Sequence, residues 1–495
     1  MNMNLVILIF TTILMHMIYC EYRNTICENN MVCNCNNFSI TCYKLSLQLP
    51  INIPNNITTI HFTEVYISHT INNQILKDDK LVNLTWSMSN ITTVGPLNKS
   101  ELIYLDLSYN LINNISSSFF VNIPRLQYLD LSNNHISSLS DNTFSSLNLI
   151  ENINLENNLF QTLSQDIFKE SVGLRYLSLG NFNLLTIPNG IFSNLENLEY
   201  LNIGNSGIQY IQSSIGDLNN LKILNINNCI NLTTIEEDFI DKKIPNIEVI
   251  NMSNCSNIQN LPMGIASLKN LRELYMHGIQ VPVNCYNGWF TKWYKETTVI
   301  KGYKNFSKLS AIDNLDCPPK IYYISGSVTL KLTKNGKIVC KSFGHPKPAI
   351  TWLIPGGLTY HENKENDRNI SSHPKIHDWD MVSVNNNQQI FTDSDGYLNI
   401  SRMIRNNIGN YTCYVSNIYG HDSQVIEVHL ESEFFFNIKI NALLLGILSA
   451  MGFLMLTILC CALKLLLKRL NCIKVKQNSM EMQNEDKQNN VPENV

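Results

Sequence analysis

The stretch Leu102-Ile-Tyr-Leu-Asp-Leu-Ser-Tyr-Asn-Leu-Ile112 recurs twenty-four residues later as Leu126-Gln-Tyr-Leu-Asp-Leu-Ser-Asn-Asn-His-Ile136. Both follow L-x-x-L-x-L-x-x-N-x-L, and ten copies can be set down, starting at Ile57, Leu81, Leu102, Leu126, Ile150, Leu174, Leu198, Leu221, Ile247 and Leu271. Most spacings are 24 residues. A period of this length marks a solenoid in which each unit buries its apolar face only by stacking on its neighbours. The L-x-L segment reads as a short strand with alternate side chains inward. Strands stacked about 4.8 Å apart make a parallel sheet, and ten of them a concave face about 45 Å long. Asparagine at the ninth position turns inward to satisfy backbone groups of adjacent turns, giving a ladder of Asn110, Asn134 and Asn158. Phe120, Phe144, Phe168, Phe192 and Phe239 recur eighteen residues after their repeat starts and should stack as a spine behind the sheet.

The chain around this block has 495 residues, 14 cysteines, only 15% charged side chains and a formal net charge of −4. That balance offers no basic surface to attract nucleic acid. Mean hydropathy is only −0.06, so local apolar excess is offset elsewhere, chiefly by about seventy asparagines. The excess lies at the two ends. Leu5 to Tyr19 is too short to span a bilayer and stops at Cys20 before Glu21 and Arg23, which reads as a signal peptide over 1–20. Its n-region, Met1 to Asn4, has no Lys or Arg. Residues 440–463 contain no charge and are long enough to cross a hydrocarbon core of roughly 30 Å. Lys464, Lys468, Arg469, Lys474 and Lys476 follow, against Lys439, Glu427, Glu431 and Glu433 before, which puts the tail 464–495 in the cytoplasm. The expectation is a single-pass type I protein of the plasma membrane. Thirteen Asn-X-Ser/Thr sequons agree, because all lie between the two apolar stretches: Asn37, Asn56, Asn83, Asn90, Asn98, Asn114, Asn231, Asn251, Asn254, Asn305, Asn369, Asn399 and Asn410.

The repeats over 51–281 are leucine-rich repeats by their spacing, and the segments on either side resemble the caps of extracellular members of that class. Cys27, Cys33, Cys35 and Cys42, in the pattern C-x5-C-x-C-x6-C over 21–50, resemble the N-terminal cap. Two disulfides are favoured there over a zinc site in an oxidising compartment, and the resemblance implies crossed pairs, Cys27 with Cys35 and Cys33 with Cys42. Cys285, Trp289, Trp293, Cys317, Pro318 and Pro319 over 282–319 resemble the C-terminal cap, with two cysteines where four are usual, so one bridge between Cys285 and Cys317 is expected.

Residues 320–432 change to alternating strand-like runs, Ser327 to Leu332 and Lys337 to Lys341 among them, broken by Gly, Pro and Asn. Cys340, Trp352, Gly409, Tyr411 and Cys413 resemble an Ig sandwich: inter-sheet disulfide, the Trp packed on it and the Tyr two residues before the second Cys. Asn407 replaces the usual Asp. The fold class expected is therefore multidomain: a leucine-rich-repeat solenoid, an all-β Ig-like sandwich and one transmembrane helix. Cys229 and Cys255 occupy the ladder position of adjacent repeats, as free thiols or as a bridge. Cys460, Cys461 and Cys472 lie at the cytoplasmic membrane boundary, where S-acylation competes with plain packing.

Nothing supports catalysis. The close pair His373 and His377 falls in a polar insertion, and no P-loop, G-x-S-x-G or H-E-x-x-H occurs, so no catalytic residue, cofactor or metal ligand is expected. The domain order resembles surface receptors of the LINGO, AMIGO and Kekkon type. That resemblance implies adhesion, homophilic or heterophilic, or modulation in cis of another receptor such as a receptor tyrosine kinase. Positions three and five of each repeat face the concave side and read Tyr104/Asp106, Tyr128/Asp130, Asn152/Asn154, Tyr176/Ser178, Tyr200/Asn202 and Ile223/Asn225. Tyrosine is a favoured interface residue, though also a good strand former. Even spacing of the sequons would put about four between Asn114 and Asn231, where there is none, while Asn83 and Asn251 bracket the interval on concave positions. The expected activity is recognition of an extracellular or cell-surface protein through Tyr104, Asp106, Tyr128, Asp130, Tyr176 and Tyr200. The competing arrangement is Ig-mediated adhesion with the repeats as a spacer. Glu493-Asn494-Val495 is a weak candidate for a PDZ groove, and Phe434 to Phe436 for the outer membrane interface.

Overall fold

The computed structural model describes residues 33–46, 53–54, 56–66, 70–72, 80–332, 334–357, 359–361, 390–392, 396–401, 403–431 and 434–488. The signal-peptide segment, Cys27, Asn369, His373, His377 and the terminal Glu493-Asn494-Val495 lie outside them. The chain forms two compact units, Met1–Val328 with Lys337–Ser401 and Gly409–Glu427, and Thr329–Gly336 with Arg402–Ile408 and Val428–Val495.

A thirteen-stranded sheet organises the first unit. Its first two strands, Cys33–Cys35 and Ser39–Ser46, are antiparallel; from Ser39–Ser46 onward neighbours run parallel through Tyr104–Asp106, Tyr128–Asp130, Asn152–Asn154, Tyr176–Ser178 and Tyr200–Asn202 to Ile300–Lys301. Most repeat strands are three residues long because only the L-x-L triplet keeps the two-residue alternation. The central Leu105, Leu129, Ile153, Leu177 and Leu201 are fully buried, and their flanking residues alternate to the opposite side, half-exposed except for Ser178 and Asn202, which are buried.

The ladder asparagines do what a buried amide must. Asn134 accepts a hydrogen bond from Ile112 N at 3.1 Å and donates to Leu107 O, Leu131 O and Ser132 O at 3.0–3.1 Å. Asn110 and Asn158 repeat the pattern. Further along, the position passes to Phe182, Ser206, Cys229 and Cys255, all buried. Ser206 donates to Ile203 O at 2.6 Å, and the Cys255 thiol to Ile226 O at 3.0 Å. Cys229 and Cys255 are free thiols. Their mutual hydrogen bond and burial push the Cys255 thiol up, away from the reactive thiolate.

The spine is also present, with Phe120–Phe144 ring centroids 5.7 Å apart and Phe144–Phe168 6.1 Å apart. In the repeat starting at Leu198 the same position is Gly216, with φ +140°. A Cβ there would lie 2.7 Å from the backbone carbonyl carbon of Phe192, so the close passage of two turns needs glycine. In the repeat starting at Leu81 it is Lys99, 1% exposed.

Cys33 and Cys42 are bridged, S–S 2.02 Å, across the antiparallel pair that opens the sheet. Cys35 is disulfide-bonded as well; its expected partner Cys27 is outside the described residues. At the far end, helix Gly288–Glu296 buries Trp289 and Phe290 in an aromatic cluster with Trp293, Tyr294, Tyr303 and Phe306. Asn287, fully buried, accepts from Leu261 N and donates to Gln259 O and Pro282 O, closing the last turn as the ladder asparagines close earlier ones.

Cys317, bridged to Cys285, is also the first residue of the strand Cys317–Ile324, which belongs to the next sheet. The cap therefore runs into the sandwich without a linker. Around this junction Lys292 Nζ donates to Ser342 O at 3.0 Å, and Asn417 Nδ2 to Cys317 O at 2.8 Å. Burial and the charge of Lys347 hold the Lys292 ammonium below its ordinary pKa. Gly288 leaves room for the Phe343 ring, which would be 2.2 Å from an added Cβ. The sandwich pairs a four-stranded with a five-stranded sheet. Cys340–Cys413 joins them beside the fully buried Trp352 and Tyr411.

In the second unit, helix Phe434–Gln488 runs unbroken for 55 residues. Its stretch Asn441–Leu470 is, by length and composition, apolar enough to cross a membrane. That stretch runs past the expected end at 463 and takes in Lys464, Lys468 and Arg469, whose long stems can reach the interface.

Candidate interaction face

Register brings the expected face together. Tyr104, Tyr128, Asn152, Tyr176, Tyr200 and Ile223 are successive partners across the sheet, as are Asp106, Asp130, Asn154, Ser178, Asn202 and Asn225. A parallel in-register spacing of about 4.8 Å is close to the distance at which flat rings stack offset. Tyr104 and Tyr128 do so at 4.4 Å with 7° between planes, and Tyr176 and Tyr200 at 4.3 Å with 6°. Asn152 separates the two pairs. Burial raises the phenol pKa of Tyr104, Tyr128 and Tyr176, and the Tyr128 hydroxyl donates to Asp130 Oδ2 at 3.4 Å.

The position-five residues have a second duty that sequence reasoning missed. Asp106 Oδ1 accepts from Ser108 N at 2.9 Å, Asp130 Oδ1 from Ser132 N at 2.8 Å and Asn154 Oδ1 from Glu156 N at 3.1 Å. Asn202, Asn225 and Asn251 make the same bond to Gly204, Asn227 and Ser253. Each side chain thus closes the turn that follows its strand, which accounts for the Asp/Asn alternation without a ligand. The charge is what differs. Asp106, Asp130 and Glu156 form no ion pair among the described residues, and burial raises the Asp106 pKa. Asp130 Oδ2 accepts from Asn154 Nδ2 at 3.0 Å, and Glu156 Oε2 from Ser178 Oγ at 3.2 Å.

Position two, just before these strands, carries another pattern the sequence reading passed over: Glu151, Arg175, Glu199, Lys222, Glu248 and Arg272 alternate in sign. Glu199 is bonded to both Lys222 and Arg175, which hold its carboxyl below the ordinary range, and Arg272 lies 3.3 Å from Glu248. Period-24 inspection of that column would have found it. At the eighth position one residue per turn takes the left-handed region, Asn133, Asn157, Asn181, Asn205, Asn228 and Asn254 among them. Asparagine tolerates that conformation, which accounts for the asparagine at these positions.

Of the sequons, Asn37, Asn56, Asn90, Asn98, Asn114, Asn231, Asn254 and Asn410 are exposed, and Asn83, Asn251, Asn305 and Asn399 are half-buried. Asn254 Nδ2 donates to Asn228 Oδ1 at 2.7 Å and Asn305 Nδ2 to Ile279 O at 3.2 Å.

Residues 100–160, 149–208 and 172–229 match the leucine rich repeat family, and residues 318–417 the immunoglobulin domain family. The chain carries leucine-rich repeats and an immunoglobulin domain. It is similar to neural cell adhesion molecule 1 of Mus musculus, 29% identical over 116 residues, and of Gallus gallus, 27% over 113. Those alignments cover 23% of this chain and 9% of each relative, so the chain spans under a tenth of the length of the curated relatives it matches. Among solved structures, an octameric complex of Latrophilin 3, Unc5D and FLRT2 is similar with TM-score 0.42 and 19% identity, covering 55% of this chain and 91% of that one. A Toll–Spatzle complex from Drosophila is similar with TM-score 0.38 and 18% identity, covering 47% and 32%.

Proposed function

We propose that the chain is a cell-surface recognition and adhesion receptor that binds a protein partner through the open face of the repeats starting at Leu102 to Leu198. The observation that carries this reading is the two stacked tyrosine pairs, Tyr104–Tyr128 and Tyr176–Tyr200, half-exposed on one sheet face, with the Tyr128 hydroxyl donating to Asp130 Oδ2 at 3.4 Å. Stacking holds each ring in place before a partner arrives, which lowers the ordering entropy that binding costs. The rings offer apolar area and hydroxyl donors together, as interface anchors do. The sequon-free interval between Asn114 and Asn231 covers these same strands.

The membrane-spanning helix would anchor this face with the N-terminal side outside. The basic residues after Leu463 and the sequons before the helix support that orientation. Screening cells that display the full chain against cells displaying other surface proteins, and against themselves, identifies the partner. The double variant Tyr128→Ser with Tyr176→Ser should then lose binding at unchanged surface level. Binding that survives the double variant contradicts the reading.

The similarity to an adhesion molecule favours a second reading, adhesion through the immunoglobulin domain. Deleting residues 320–432 separates the two, because only the second loses binding by that deletion while the tyrosine variant keeps it.

A further inference from the structure

The cap and the sandwich share a cavity of about 260 Å³, away from the tyrosine strands. Lys292, Ile312 and Leu315 of the cap line one side, and Phe343, His345 and Lys347 of the sandwich the other. Lys292 is half-buried and gives one N–H to Ser342 O at 3.0 Å. An ammonium carries three donors, and Lys292 forms no ion pair among the described residues, so two of its donors remain for a ligand. Burial and the nearby charge of Lys347 already disfavour its charged form. The carboxylates of this region are engaged elsewhere. Residues 288–347 hold eleven lysines against three acidic side chains, Glu296, Asp313 and Asp316. Glu296 is paired with Lys341, Asp313 lies 3.8 Å from Lys295, and Asp316 lies 3.5 Å from His345. Asp313, the one carboxylate of the lining, therefore serves Lys295 as well as Lys292, and the cavity keeps a net positive charge.

Two ammonium groups and an apolar wall select the occupant. The volume falls below the roughly 300–1,000 Å³ of pockets that take drug-sized ligands, leaving room for about one sugar ring. Ile312, Leu315 and the Phe343 ring offer an apolar surface to the C–H face of such a ring. Lysine binds sulfate or phosphate as a point charge, without the two-pronged geometry that arginine imposes. Partial enclosure lowers the local dielectric, so an ionic contact here is stronger than one made by an exposed lysine. We propose that this cavity is a binding site for a sulfated glycosaminoglycan, with one sulfate ester between Lys292 and Lys347 and its sugar ring against Phe343. Lys295, exposed beside Asp313, meets the next anionic group along the polymer. Repeated weak contacts of this kind add up through effective concentration. An acidic peptide brings carboxylates without the sugar face, and the lysine excess of the whole segment suits a polymer of regular charge better than a single carboxylate. The site shares no residue with the repeats starting at Leu102 to Leu198, so a glycan here and a protein on the tyrosine face bind independently.

The full-length chain, captured from mild detergent, is titrated with a heparin hexasaccharide, with the same oligosaccharide stripped of its sulfates, and with a polyglutamate peptide. The hexasaccharide should bind, less tightly as salt rises from about 0.05 to about 0.5 M, and the other two should not. The double variant Lys292→Gln with Lys347→Gln should weaken binding by about tenfold or more, as loss of charged hydrogen bonds does. The triple variant Lys301→Gln, Lys304→Gln, Lys308→Gln removes more charge, all of it outside the cavity lining, and should weaken binding less. Because Lys292 also supports the junction through Ser342 O, Lys347→Gln alone, at an exposed position, is the variant that leaves the fold intact, and it should cost about threefold or more. Wild type that does not bind the hexasaccharide, or that binds the desulfated sugar or polyglutamate as well, would overturn the proposal. So would a triple variant that loses as much as the double, or a Lys347→Gln chain that binds like wild type. The Tyr128→Ser, Tyr176→Ser variant should keep its hexasaccharide affinity; if it loses that affinity, the glycan sits on the tyrosine face and this assignment falls.

Discussion

At the scale of single residues, the repeat is held by side chains that replace missing backbone partners. Asn134 satisfies one backbone N–H and three carbonyls inside the solenoid. Replacing it with Ala leaves those groups buried and unpaired, at about 1–3 kcal/mol for each that finds no water, so Asn134→Ala should lower the unfolding midpoint clearly in thermal or urea melts. Gly216→Ala should do the same for a different reason, forcing a Cβ against Phe192 at φ +140°, with about 1–3 kcal/mol from the conformation alone. By contrast Asp130→Asn should lower the melt less than Asn134→Ala, because Asn keeps the turn-closing bond, as at the equivalent position of the next repeat, and loses only the Oδ2 acceptor of Asn154 Nδ2 and the Tyr128 hydroxyl. The inward Leu and Asn were legible in the sequence because their spacing is itself the packing rule. The turn-closing bond of Asp106 and Asp130 was not, since a carboxylate on a strand edge looks the same in sequence whether it faces a ligand or its own backbone.

At the scale of elements, the junction between the cap and the sandwich departs from a boundary at 319/320. The sandwich strand begins at Cys317, so one residue closes the cap bridge and opens the next domain. Composition shifts locate a boundary between domains, but one cysteine serving both sides gives no shift to detect. Gly288→Val should press on the Phe343 ring and cost about 1–3 kcal/mol as overpacking does, seen as a lower midpoint for the sandwich in calorimetry. Removing the Cys340–Cys413 bridge, which spans 73 residues, should cost about 4 kcal/mol in the chain-entropy estimate. The expected readout is loss of surface display at 37 °C. The cysteine, tryptophan and tyrosine that define the sandwich were readable because each has one position in that architecture.

At the scale of the whole molecule, the low charge and high asparagine content have distinct sources. Apolar turns and one membrane-length helix account for the first. Part of the second comes from ladder amides, left-handed turn residues and sequons. Two stacked tyrosine pairs remain half-exposed on the sheet, beside Asp106, Asp130 and Glu156, which form no ion pair among the described residues. The most direct measurement is the affinity of the identified partner for the full chain and for its Tyr128→Ser, Tyr176→Ser variant, compared at equal surface density. Anchors of this kind cost 2 kcal/mol or more when truncated, so the dissociation constant should rise by about thirtyfold or more. An unchanged constant, with the variant normally displayed, would contradict the assignment of this face as the binding site.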